Sequence, residues 1–317
     1  MNARNKILEW AEEGRIASDQ LAAALKTCKL LPDQRGWLQF LDRLLLGLGT
    51  LLLVSGIIFF FAANWDGIGR YTRFALVEAA FLACLLLLWR LGNTSLAGQA
   101  ALMGAVLLTG ALLALVGQTY QTGADNWELF FAWSLLVFPW VALGKNSILW
   151  LIWLGLINLC TITYAQAHQS LFWEDDLLWL LFIINTLALV LWQKLADLEH
   201  IPTDAHWPIR ILATASGVCI TLLALQAVVD SASISSIMAW LIWLGTIYYV
   251  YRRQRVDLYI LTGGVLSIIV TISVFFTQHL LTGDSVFSLV LLTVLVLGLS
   301  AAGGWWLRQI LEEMHRQ

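Results

Sequence analysis

One carboxylate lies inside an apolar stretch of the sequence, where a charged group has the clearest chemical consequence. Glu78 stands four residues after Phe74 in the apolar run 74–91, so a helix would place it about 6 Å inside that run at about 1.5 Å per residue. A charge in apolar surroundings needs a partner or water, and Arg70 or Arg73 would be the nearest cation. Two interpretations stay open at this point: a structural ion pair between neighbouring helices, or a ligand or proton site.

A second group of polar residues interrupts the apolar pattern in the segment GQTYQTGADNWELFFAWSLLVFPW, residues 117–140. One interpretation is a turn, in which Asp125 and Asn126 cap the next helix and Glu128 complements its dipole. The other is one wall of a polar pocket, with the turn of Glu78 as the opposite wall. The candidate ligand-binding residues are therefore Arg73, Glu78, Gln118, Tyr120, Gln121, Asp125 and Glu128.

The sequence contains no recognisable catalytic or metal-binding pattern. It has no Ser-His-Asp order, no phosphate-binding loop and no dinucleotide-binding glycine pattern, and its four cysteines are isolated from one another. We therefore predict no catalytic residues, no metal, no cofactor and no disulfide. An enzyme is less favoured than a binding or structural protein, because no nucleophile and base can be paired.

The composition identifies the elements that position these residues. The chain is 60% hydrophobic and only 12% charged, whereas a soluble domain has about 25% charged residues. Its apolar runs match the roughly 20 residues that cross a bilayer. We predict an all-α, polytopic transmembrane helical bundle in contact with the lipid bilayer and without a nucleic-acid partner. About ten spans are expected, at 44–63, 74–91, 96–117, 127–143, 147–165, 175–193, 209–229, 234–251, 258–277 and 286–307.

The distribution of basic residues predicts the orientation. If the N-terminus is cytoplasmic, all of the eighteen Lys and Arg residues except Arg70 and Arg73 fall on the cytoplasmic side of ten spans. This asymmetry is what the positive-inside rule requires, so both termini are predicted to be cytoplasmic. The polar groups around Glu78 and in the segment 117–128 would then face the outside.

The first residues differ from the rest of the chain. The stretch NKILEWAEEGRIASDQLAAALKTCKLLPDQRG has apolar residues at helical spacing and many charges, so it predicts a short amphipathic helical pair. It has no apolar core typical of a signal peptide. The predicted organisation is a cytoplasmic helical segment at 1–36, spans one to four at 37–145, spans five to ten at 146–308 and a cytoplasmic tail at 309–317.

Three stretches carry a resemblance to a known family: EWAEEGRIASDQ, FFAANWDGIGRYTR and GQTYQTGADNWELFFAWSLLVFPW. Over about residues 1–145 the chain resembles the bacterial predicted membrane proteins grouped as domain of unknown function 2157. The resemblance implies a multi-pass protein of the bacterial inner membrane with envelope or membrane proteins as candidate partners. It implies no activity.

Two short patterns occur twice. WLIWLG stands at 150–155 and 240–245, and Q-x-x-x-T-G stands at 118–123 and 278–283. Chance can produce the first match in a chain rich in Trp and Leu. Internal repeats are common in transporters, so the second pair suggests that spans three–four and nine–ten are related hairpins.

Two functional hypotheses from different classes follow. The first is a transporter-like or ligand-binding protein with an outer polar pocket formed by spans one to four, its small-molecule ligand unknown. The second is a non-transporting membrane scaffold or subunit of an envelope complex, in which the polar residues only cap and join helices.

Overall fold

The protein is helical throughout the part that its structure, a computed structural model, describes. The described residues are 34–63, 67, 69–121, 123–144, 146–170, 174–197, 207–230, 234–279 and 286–316, together with Trp10, Arg15 and Gln20. They form no strand. The helices are α1 Gln34–Ala63, α2 Arg70–Leu91, α3 Leu96–Tyr120, α4 Asn126–Gly144, α5 Ser147–Ala167, α6 Glu174–Asp197, α7 Trp207–Asp230, α8 Ile234–Tyr248, α9 Leu258–His279 and α10 Val286–Arg316.

Each predicted span corresponds to one of these helices, which confirms the all-α membrane class. Nine of the described helices are long and apolar enough to cross a membrane, and in α1 the apolar stretch is the shorter Leu44–Ile57. A π-helical turn, Tyr249–Gln254, continues α8 three residues beyond the end predicted at 251. The orientation of the spans stays a prediction. The predicted N-terminal helical pair lies outside the described residues, apart from Trp10, Arg15 and Gln20.

The ends of the helices follow local sequence chemistry. The Ser95 hydroxyl accepts a hydrogen bond from the Gly98 backbone N–H at 3.0 Å and so caps the start of α3. Asp257 does the same for α9, since its Oδ1 accepts from the Tyr259 N–H at 3.0 Å. Its Oδ2 also binds Arg210 Nε at 3.0 Å, which ties the start of α9 to α7. These caps satisfy backbone donors that a helix leaves unpaired.

The chain divides into two compact units, residues 1–160 with 315–317 and residues 161–314. From the sequence, a boundary is predicted at 145 because the family resemblance ends there. The structural boundary at 160 instead follows from which residues pack together. In unit 1, α3 packs against α1, α2 and α4. In unit 2, α7 packs against α6, α8 and α9. A central helix therefore organises each unit.

The core of unit 1 is apolar and closely packed. One cluster, between α3, α4 and α5, includes Leu102, Val106 and Val137. The indole of Trp133 lies directly over Gly110, and its Nε1–H donates to the Val106 carbonyl oxygen at 2.8 Å. A glycine at this point lets α4 approach α3 closely, which is a common device where membrane helices pack.

Candidate functional site

The seven residues predicted as a ligand site lie on α2, α3, α4 and the α3–α4 connection, all within unit 1. Arg73 lies in the first turn of α2, where its backbone N–H donates to the Gly69 carbonyl at 3.2 Å, and its side chain is half-buried. Glu78 lies farther along α2 and is exposed. No described residue forms an ion pair with Glu78.

A ring contact joins the start of α2 to the end of α3. The rings of Phe74 and Tyr120 have their centroids 6.2 Å apart and are tilted by 44°. Beneath this contact Val77 packs in a cluster with Leu108 and Leu115. The turn that contains Arg73 is therefore held beside the polar run at 118–121, as the pocket hypothesis requires of these two segments.

The polar run begins inside α3. The helix continues through Tyr120, so Gln118 and Tyr120 are helical residues, and both are exposed. Gln121 ends the helix in the left-handed conformation, with φ 45° and ψ 51°. Glycine is the residue that most often takes this position, and here a glutamine adopts it. The turn is thus confined to 121–125, and the turn interpretation does not account for Gln118 and Tyr120.

A hydroxyl in this run is buried without a hydrogen bond. Thr119 Oγ1 is inaccessible, and no described residue pairs with it. Several threonine hydroxyls on the described helices bond to the carbonyl four residues earlier, as Thr109 does with Ala105 at 2.9 Å. An unsatisfied buried hydroxyl lowers the free energy of unfolding by about 1–3 kcal/mol. Thr119 therefore carries an unpaired hydroxyl next to Gln118 and Tyr120.

The acidic residues of the cluster lie around the start of α4. The Asp125 carbonyl accepts from the Glu128 N–H at 3.1 Å, which closes the first turn. Glu128 lies in that first turn, where a carboxylate stabilises the helix dipole. Both side chains are exposed. The Asp125 backbone carbonyl and the Glu128 carboxylate serve the helix start, and both carboxylates are exposed at this end of the unit.

The cluster is an open surface rather than an enclosed pocket in the described residues. The cavity between α1 and α2, about 480 Å³, is lined by the apolar residues Leu53, Gly56, Ile57, Phe60, Leu76 and Ala80. None of the seven predicted residues borders it. A surface of guanidinium, carboxylate, amide and phenol groups can bind a polar molecule through several hydrogen bonds.

Sequence reasoning missed a set of polar contacts in the interior of unit 2. Trp243 donates from Nε1 to Ser216 Oγ at 3.1 Å, and the same hydroxyl bonds to Thr186 Oγ1 at 2.7 Å. Trp240 donates to Ser267 Oγ at 2.9 Å, and Thr221 Oγ1 bonds to that hydroxyl at 2.6 Å. Four helices, α6 to α9, are joined in this way.

The second WLIWLG pattern contains the tryptophans of these contacts. Trp240 and Trp243 are three residues apart and share a helix face, and both are only 8% exposed. In the first copy, Trp153 donates instead to a backbone carbonyl, that of Ser134, at 3.0 Å. The pattern therefore corresponds to a tryptophan face that is buried in unit 2 and partly buried in unit 1, and the partners differ.

The part of the chain that the structure describes contains no group of three His, Cys, Asp or Glu residues that could hold a metal ion.

The comparison with known families confirms the resemblance seen in the sequence. Residues 8–150, somewhat less than half of the chain, match the family described as Predicted membrane protein (DUF2157). No curated protein and no solved structure matches the chain. The matched region includes α1 to α4, and with them all seven residues of the cluster.

Proposed function

We propose that this protein is a multi-pass protein of the bacterial inner membrane that binds a small polar ligand at the Arg73–Glu128 cluster, in the manner of a transporter or receptor. The Phe74–Tyr120 contact carries this proposal, because it holds the charged turn of α2 beside the polar end of α3. With both termini cytoplasmic, this end of unit 1 faces the outside.

The chemistry of the cluster favours a ligand with both donors and acceptors. Arg73 supplies a cation, and Glu78, Asp125 and Glu128 supply carboxylates. Gln118, Gln121 and Tyr120 offer groups that both donate and accept. A small molecule that carries charge of either sign could therefore be bound by several hydrogen bonds at once.

The position of the polar residues supports a site over a simple turn. Gln118 and Tyr120 belong to α3, whose residues 100–117 are apolar or glycine except for Thr109, and five residues separate its end from the start of α4. A connection of that length needs no polar residues within the helix itself. The buried hydroxyl of Thr119 adds an unmet hydrogen bond at the same place.

A double-mutant cycle between α2 and α3 tests the proposal. Glu78→Gln and Gln118→Ala are made singly and together, and thermal unfolding is measured in detergent. If the two side chains share one polar site, their effects should deviate from additivity by more than about 0.5 kcal/mol, the limit for independent positions.

A matched control uses the other end of the same helix. Gln99 lies nineteen residues before Gln118 on α3, about 28 Å away at 1.5 Å per residue. Glu78→Gln and Gln99→Ala should therefore be additive. Additivity of the Glu78 and Gln118 pair as well would contradict a shared site.

A scaffold is the second candidate function, and the exposure of the cluster favours it. Tyr120 is 62% exposed, as a residue at a protein contact would be in an isolated chain. A photo-crosslinking amino acid at Tyr120 should give a discrete adduct with another polypeptide in intact cells if the protein is a scaffold. The same substitution at Trp89, 81% exposed at the opposite end of α2, serves as the control. A ligand-binding protein should give no polypeptide adduct specific to Tyr120.

A further inference from the structure

A crevice lies between α7, α8 and α9 in unit 2, apart from the cluster of unit 1. Its volume is about 350 Å³, and we call it the α9 crevice. Several of its walls are buried, including Val228 and Trp240, whereas Phe275 and His279 at the end of α9 are exposed. It is lined by Ala227, Val228, Ile237, Trp240, Thr271, Ile272, Phe275 and His279.

One polar side chain points into this crevice without a hydrogen bond. Thr271 is only 4% exposed, and its Oγ1 bonds to no described residue. Two other threonines on the same helix bond to the carbonyl four residues earlier, Thr262 to Leu258 at 2.7 Å and Thr277 to Ser273 at 2.9 Å. A buried hydroxyl without a partner lowers stability and calls for an explanation. The unpaired hydroxyl of Thr271 lies on the wall of the crevice, where a bound molecule would be within its reach.

Two polar side chains near Thr271 already have hydrogen-bond partners. The hydroxyl of Ser267, one helical turn earlier, is bonded to Trp240 at 2.9 Å and to Thr221 at 2.6 Å. The indole N–H of Trp240 is used in that contact. Trp240 therefore presents apolar ring surface to the crevice, and Thr271 is the hydrogen-bonding group at its buried end, with His279 at its exposed end.

Aromatic rings form the exposed end of the crevice. Phe275 and His279 are stacked, with ring centroids 4.7 Å apart and an angle of 17° between the planes. His279 lies eight residues beyond Thr271 on α9, or about 12 Å along the helix axis. Ligand pockets in proteins are lined mainly by hydrophobic and aromatic side chains with a few placed polar groups, and this crevice combines aromatic walls with one hydroxyl at depth.

We propose that the α9 crevice binds a small monocyclic aromatic molecule that bears one hydroxyl or carbonyl oxygen. The ring lies against Trp240 and Phe275, and the oxygen bonds to Thr271 Oγ1. His279 stands at the entrance. A volume of about 350 Å³ accommodates a single ring with a short substituent.

Phenol and toluene provide the test, because they share a ring and differ in the hydroxyl. The full chain in detergent is titrated with each compound, and binding is followed by saturation-transfer NMR of the ring protons and by thermal unfolding. Phenol should bind saturably. In Thr271→Val, which keeps the shape of the side chain and removes the hydroxyl, phenol should bind about five- to tenfold more weakly and toluene should be unaffected.

Two further variants make the result specific. Thr262→Val removes a hydroxyl on the exposed face of α9 that already bonds to Leu258, so phenol binding should be unchanged. Ala227→Leu fills the crevice without altering Thr271, so both compounds should lose binding. Partition into detergent is the same for every variant and cancels in these comparisons.

Three results would overturn the proposal. Phenol that fails to bind saturably to the wild-type chain excludes the site. Equal phenol affinity in the wild-type and Thr271→Val chains assigns the hydrogen bond to another group. If Thr271→Val does not fold, the Ala227→Leu variant decides, since unchanged phenol binding there places the compound outside the crevice.

Discussion

Replacement of Gly110 by alanine should destabilise unit 1, because the added methyl group has no space. A Cβ at Gly110 would lie 2.5 Å from Cδ2 of Trp133, closer than real Cβ atoms approach a neighbour. The indole cannot move away freely, since its Nε1–H is bonded to the Val106 carbonyl at 2.8 Å. It is also stacked on Phe130, with centroids 6.4 Å apart.

The expected magnitude follows from three contributions. Overpacking of a close helix contact costs about 1–3 kcal/mol. Displacement of the Trp133 indole weakens a hydrogen bond that contributes about 1 kcal/mol. The higher helix propensity of alanine offsets about 1 kcal/mol. Gly110→Ala should therefore lower the free energy of unfolding by about 1–3 kcal/mol. The thermal unfolding midpoint should fall by about 2–4 °C for each kcal/mol lost.

Thermal unfolding in detergent measures this effect against a matched control. Gly155 is also inside a helix of unit 1, but a Cβ there meets no atom within 4 Å. Gly155→Ala should be neutral or slightly stabilising. In a Trp133→Phe background, which removes part of the indole, the cost of Gly110→Ala should shrink. Two results would refute the packing argument. One is an equal loss of stability in Gly110→Ala and Gly155→Ala, and the other is an unchanged loss from Gly110→Ala when Trp133 is replaced by Phe.

Three further predictions concern topology and packing. In a chain without its native cysteines, cysteine at Gly123 should react with an impermeant thiol reagent in intact cells and cysteine at Asn146 should not, and the opposite pattern would overturn the orientation. Deletion of residues 2–34 should leave carbonate-resistant membrane insertion intact, and loss of insertion would make this segment part of the membrane fold. Gly217→Ala should lower the unfolding midpoint, because its Cβ would lie 2.8 Å from Cη2 of Trp243, and an unchanged midpoint would contradict that contact.

The sequence was sufficient to predict the helices. Inside a bilayer every backbone polar group must be satisfied within its own segment, so an apolar run of about twenty residues has one structural solution. The run predicted at 74–91 is the helix Arg70–Leu91, and the run at 258–277 is Leu258–His279. For the same reason, the class of the protein followed from composition.

The candidate cluster could be predicted only in part. The residue types and their place beside apolar runs identified Arg73, Glu78 and the run at 118–121 as unusual. The contact that holds two of these segments together, between Phe74 and Tyr120, depends on how α2 and α3 pack. The left-handed conformation of Gln121 likewise results from the end of a specific helix.

Tertiary structure alone decided which helix faces meet. Trp240 and Trp243 could have faced lipid, as membrane tryptophans often do near span ends, but they are buried and bonded to Ser267 and Ser216. Thr271 on α9 is left without such a bond. Lipid chains and neighbouring helices are equally apolar, so hydrophobicity predicts that a segment enters the membrane and does not distinguish the face that packs from the face that meets lipid. That choice depends on close fit and on hydrogen bonds between helices, which exist only once the helices are assembled.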